Sequence, residues 1–121
     1  RLQNCQIECA DALYIIGSRD SENTFFYCDP PYFNSDCGHY NGYSQQDYES
    51  LLYLLSSIKG KFLLSSYPSA ILEKYTKSQN WQKWSIRQKV SVNAKAGNLK
   101  TKTEMLVANY PIAEQLKILE V

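Results

Sequence analysis

Thr24-Phe25-Phe26-Tyr27-Cys28-Asp29-Pro30-Pro31-Tyr32 is the stretch on which the reading of this chain turns. Residues 24–28 are β-branched and aromatic, a run suited to a buried strand. That strand has to stop at the two prolines, because neither can donate to a sheet ladder. Upstream, residues 5–9 alternate Gln and Glu with Cys and Ile as a short strand does, and residues 10–16 read as a short helix ending near Gly17. Arg19-Asp20-Ser21-Glu22-Asn23 is a polar connection between the two.

Downstream, residues 33–43 form a turn-rich loop of Asn, Ser, Asp and Gly interleaved with Phe33, Tyr40 and Tyr43. Ser44 followed by Asp47 is a capping-box signal. Behind it Tyr48, Leu51, Leu52, Leu55 and Ile58 recur at three- and four-residue spacing up to Gly60, which predicts a helix whose apolar stripe is core. Residues 62–66 are a short apolar strand, and Pro68 falls where the first turn of a helix over residues 69–75 would accept it. The tail changes character. Residues 84–92 alternate with period two, 93–103 are polar and contain a glycine, and 104–109 are apolar again, which predicts a hairpin with a long tip.

Helices alternating with strands, then a hairpin, imply an α/β fold: a mostly parallel sheet with an antiparallel edge hairpin, covered by helices. Such sheets bind ligands beyond the carboxyl ends of their strands, and Asp29-Pro30-Pro31-Tyr32 stands at such an end. A fixed Asp-Pro-Pro-Tyr arises by chance in about one chain of this length among several hundred to a few thousand. The alternative to a functional motif is a proline-stiffened strand exit on which Tyr32 merely packs.

The 121 residues fit one domain, and 44% hydrophobic with 21% charged residues is ordinary globular composition. Thirteen Lys plus Arg against twelve Asp plus Glu leave a formal charge of +1, so any basic surface for a polyanion must be local. Lys95, Lys100 and Lys102, with Arg87 and Lys89 upstream, are candidates for phosphate contacts or for an ordinary solvated face. Cys5, Cys9, Cys28 and Cys37 contain no Cys-x-x-Cys pair and His39 is the only histidine, so no metal site is expected. No apolar run approaches the roughly 20 residues of a membrane span, so no membrane partner is expected, and free thiols point to the cytoplasm.

The stretch from Phe25 to Tyr32, the Gly- and aromatic-rich loop after it, the strand Phe62-Leu63-Leu64-Ser65-Ser66 and finally Glu104-Met105-Leu106-Val107-Ala108-Asn109-Tyr110 resemble the post-motif half of Dam-type DNA adenine methyltransferases. The resemblance covers nearly the whole chain. It implies a Rossmann-like S-adenosylmethionine-dependent methyltransferase fold, partial here, with a reversed hairpin at the sheet edge. The substrate it implies is adenine in double-stranded DNA, flipped out of the helix.

Adenine's exocyclic amine is a poor nucleophile because its lone pair is delocalised into the ring. An Asp29 carboxylate and a Pro30 carbonyl that each accept one N–H would let the nitrogen pyramidalise and aim its lone pair at a sulfonium methyl group. On this reading Asp29, Pro30 and Tyr32 are the catalytic residues, with Tyr32 as the stacking face, and Pro31, Phe33, Tyr40 and Tyr43 line the base or DNA channel. The loop aromatics alternatively fold back as a local cluster. Asp11 and Asp29 are the cofactor-contacting candidates, and Asp11, at a strand-helix junction, is equally readable as a helix cap. Gly17, Gly38, Gly42, Gly60 and Gly97 are isolated, so the family's cofactor glycine loop is not expected within these residues, nor is the target-recognition region that the resemblance places ahead of this segment. The chain is accordingly expected to be a C-terminal catalytic part that is weak or inactive without its N-terminal partner. A non-catalytic nucleic-acid-binding remnant and a structural α/β domain stay open as alternatives.

Overall fold

The computed structural model describes residues 11–33, 42–93 and 98–112, and their side chains except those of 88–93 and 98–101. The expected strand over residues 5–9, Tyr40 and Lys95 lie outside the described residues. In chain order the elements are α1 (Ala12–Arg19), β1 (Phe25–Cys28), α2 (Gln45–Leu55), β2 (Lys61–Ser66), α3 (Ala70–Gln79), β3 (Gln82–Asn93) and β4 (Asn98–Ala108).

The strands form one sheet in the order β1-β2-β4-β3. β1 and β2 run parallel, with Phe25 opposite Lys61 and Cys28 opposite Leu64, whereas β2–β4 and β3–β4 are antiparallel. The expectation of a mostly parallel sheet is therefore corrected. Among the described strands the sheet is mixed, because the late hairpin contributes two strands and inserts β4 directly against β2. The hairpin does occupy the edge, but its tip is short. Ladder pairing continues past the expected turn to Ser91↔Leu99 and Asn93↔Asn98, with a register irregularity between Ser91 and Asn93. Polar residues do not end a strand whose backbone is already satisfied across the ladder.

The helix signals place their elements with small shifts. Ser44 caps α2: its hydroxyl accepts from Asp47 N at 3.1 Å, while the Asp47 carboxylate accepts from Ser44 N at 2.9 Å, so two otherwise orphaned donors are satisfied reciprocally. Ser44→Ala should cost about 1 kcal/mol of stability and Ser44→Gly only about a few tenths, a difference readable by thermal unfolding. α1 does not stop at Gly17 but runs on to Arg19, since a glycine on an exposed helical face weakens a helix without ending it. Pro68 stands one position ahead of the N-cap Ser69, outside the first turn, so its ring precedes α3 and Ser69 Oγ accepts from Leu72 N at 3.1 Å.

Tyr48, Leu51, Leu52 and Leu55 of α2 are buried as their spacing predicts, in one cluster with Phe62 and Leu64 of β2, Leu72 of α3, Trp81, and Met105 and Val107 of β4. β1 departs from the expected two-sided burial: Phe26 and Cys28 pack against the core, but Phe25 is 51% and Tyr27 62% exposed.

The turn before β2 is tied to two other segments. The Asp20 carboxylate accepts from the backbone N–H groups of Lys59 (2.8 Å) and Gly60 (2.9 Å), and Lys61 N donates to Thr24 O at 2.9 Å. Asn109, just beyond β4, accepts from Phe62 N at 3.0 Å and donates to Gly60 O at 2.9 Å. Only glycine fits at position 60, where a Cβ would lie 2.5 Å from Thr24 O and 2.8 Å from Ser21 O. Together these bonds hold the amino ends of β1 and β2 and the end of β4 in register, which brings the carboxyl ends of β1 and β2 to one edge.

Candidate active site

At that edge β1 gives way to Asp29, Pro30, Pro31 and Tyr32. A cavity of about 590 Å³ opens there between α1, the end of β1 and the start of α2. Asp29, Pro30 and Pro31 form part of its wall together with Asp11, Tyr43, Cys28 and Asp47, and Leu13, Ile16, Phe26 and Leu51 supply much of the apolar lining. Asp11, Asp29, Pro30, Pro31 and Tyr43, singled out on the sequence, thus meet around one space.

Asp11 is the N-cap of α1, its Oδ2 accepting from Tyr14 N at a long 3.4 Å. Capping uses one site of a group that offers about four, so the cap and a ligand contact are compatible. Asp29 is exposed at the cavity wall, whereas the prolines are partly buried. Burial, then the neighbouring Tyr48, Asp47 and Cys28, push the Tyr43 phenol up to about 12, so at neutral pH it is a hydrogen-bond donor and carries no charge. Burial likewise pushes the Cys28 thiol up to about 11, which keeps it protonated and poorly nucleophilic.

Tyr32 and Phe33 do not line this cavity. Phe33 turns inward, its ring 5.1 Å from that of buried Tyr48, whose hydroxyl is 2.7 Å from Ser66 Oγ. The Tyr32 ring lies 5.7 Å from Phe33 and 4.5 Å from Tyr67, just past the end of β2. The motif therefore separates two environments: the cavity on the side of Asp29, and a partly buried aromatic group on the side of Tyr32.

Residues 1–109 of the 121 match the description of the D12 class N6 adenine-specific DNA methyltransferases. The chain belongs to this family. No curated protein and no solved structure matches it. Membership carries adenine-specific DNA methylation as the family's activity and agrees with the resemblance read from the motif.

Cys28 and Asp47 are among the cavity residues that the sequence did not mark as site candidates. Cys28 is the inward-facing partner of Phe26 in the alternation that leads into the motif, and Asp47 was legible only as a capping residue. The basic run is divided by the sheet. Lys102 pairs with Gln88 and Arg87 with Thr103, so Arg87 and Lys102 occupy ladder positions of opposite face. One phosphate backbone lying on one face does not reach both. Among the described residues no group of three His, Cys, Asp or Glu is placed to hold a metal ion, and no helix is long and apolar enough to cross a membrane.

Proposed function

We propose that this chain is the catalytic part of an S-adenosylmethionine-dependent methyltransferase that acts on the exocyclic amine of adenine flipped out of duplex DNA. The carrying observation is the position of Asp29-Pro30-Pro31 at the carboxyl end of β1, on the wall of a cavity shared with Asp11. The wider fold we assign is the Rossmann-like sheet of such enzymes, consistent with the parallel β1–β2 pair and the antiparallel hairpin.

The residues present suit the cofactor. The cavity falls within the range of about 300–1,000 Å³ usual for small-ligand sites, and it combines apolar walls with a few carboxylates. Leu13, Ile16, Phe26 and Leu51 would suit a purine ring, Asp11 would suit hydroxyl or ammonium donors, and the Asp29 carboxylate would favour a cationic group. When bound, S-adenosylmethionine supplies an electrophilic methyl group on a sulfonium centre.

The chain's own residues then act on the adenine. The Asp29 carboxylate and the Pro30 carbonyl each accept one N–H of the amine, drawing its nitrogen out of conjugation so that the lone pair points along the transfer axis. The ring constraint at Pro30 and Pro31 keeps the Pro30 carbonyl in one direction. Asp29 also stabilises the positive charge that the amine nitrogen acquires in the transition state. Pro31 and Tyr43 shape the approach to the base, with Tyr43 offering a neutral O–H donor.

The test is direct. Full-length protein carrying this segment, given S-adenosylmethionine labelled in its methyl group and duplex DNA, should deposit label as N6-methyladenine, identified by nucleoside chromatography. Label on cytosine, on RNA alone or on no nucleic acid would overturn the assignment.

A further inference from the structure

The ring of Tyr67 stands between two groups. On one side the Tyr32 ring lies 4.5 Å away, at an interplanar angle of 53°. On the other, Lys102 Nζ from β4 sits 4.7 Å from the Tyr67 ring centroid, and the neighbouring Tyr67 holds the lysine's pKa above its ordinary value. Lys102 is itself oriented by Glu104, at 3.7 Å on the same strand. Three segments, the motif, the end of β2 and the hairpin, therefore converge on one partly buried ring.

This matters because Tyr32 follows two prolines and is only partly buried. A ring in that position can swing about χ1 unless something blocks it, and a platform that swings stacks poorly. Phe33 is committed inward to Tyr48, so Tyr67 supplies the nearest aromatic contact to Tyr32 from another element. A tilted aromatic contact at this distance is favourable, and a cation near the Tyr67 ring adds an attraction that resists its displacement.

We propose that Tyr67 is a positioning residue that holds the Tyr32 ring as a platform for the flipped base, and that Lys102 holds Tyr67 there. The proposal rests on the reading of the motif as a base-flipping methyltransferase site. It predicts that losing Tyr67 harms the productive placement of the base more than the binding of DNA or cofactor.

The test uses full-length protein and a duplex with 2-aminopurine at the target adenine, whose fluorescence rises when the base leaves the stack, alongside methylation of the normal duplex. Tyr67→Leu should lower kcat about five- to tenfold and reduce the fluorescence rise correspondingly, with S-adenosylmethionine affinity within about twofold of wild type. Tyr67→Phe, which keeps the ring, should recover most of both signals. Lys102→Met should show a smaller loss of the same kind. Its side chain is 41% exposed, so this variant probes the link without opening the core and stands in for Tyr67→Leu should that variant unfold.

Normal kcat and fluorescence in Tyr67→Leu would overturn the proposal. So would a Lys102→Met variant altered only in the salt dependence of duplex binding, which would make Lys102 a phosphate contact. A wild-type protein that neither methylates adenine nor raises the fluorescence would instead overturn the functional reading beneath it.

Discussion

Asp29→Ala in the full-length protein should lower the rate of adenine methylation by about 10²–10³-fold, equivalent to about 2.7–4 kcal/mol of transition-state stabilisation. Asp29 is exposed, so its removal should leave thermal unfolding nearly unchanged. Two roles are assigned to the one carboxylate, and they separate kinetically. Loss of a cofactor contact raises KM for S-adenosylmethionine, whereas loss of an acceptor for the amine lowers kcat at saturating cofactor. Asp29→Asn retains one acceptor oxygen but loses the charge, so it should lie between wild type and alanine. A labelled-methyl assay at saturating S-adenosylmethionine decides the matter, and near-normal turnover of Asp29→Ala would remove the paired-acceptor mechanism.

The elements between β1 and α3 were legible because each carries a local signal that tertiary structure reinforces. The stripe of Tyr48, Leu51, Leu52 and Leu55 specifies a helix face, and Ser44 with Asp47 specifies where that helix begins. The hairpin was harder to delimit. Apart from Leu99, residues 98–103 are polar and carry no hydrophobic alternation to announce a strand; only the register opposite β3 reveals it. The mixed sense of the sheet was hidden for a related reason, since no local pattern tells whether a late strand will insert beside β2 or stay outside it.

At the site, chemistry was more legible than placement. Asp29 and Pro30 announce themselves by residue type and by following a strand. That Asp11 reaches the same cavity follows from α1 running back from the motif's edge of the sheet, which depends on a tertiary arrangement. Asp47 shows the converse: its capping bond accounts for its presence, and its position on the cavity wall is visible only once α2 is packed.

Tyr32 offers the sharper discrimination between a ring that stacks on substrate and a ring that merely packs. If it stacks on flipped adenine, Tyr32→Ala should lose about 1–3 kcal/mol of base-stacking interaction in the full-length enzyme, while Tyr32→Phe keeps most activity because the π-face is unchanged. A fully buried aromatic would cost about 3–5 kcal/mol of stability on truncation to alanine. Tyr32 is only partly buried, against Tyr67 and Phe33, so its stability loss should fall well below that range. The two roles also differ in their response to the DNA. A mismatch opposite the target adenine lowers the cost of extruding it, so it should partly rescue Tyr32→Ala if the defect lies in holding the flipped base, and should do nothing for a protein that is simply less folded. Thermal unfolding measured beside methylation of matched and mismatched duplexes separates the cases. A large drop in melting temperature with no rescue by the mismatch would leave Tyr32 as a packing residue, and with it would fall the platform that Tyr67 and Lys102 are proposed to support.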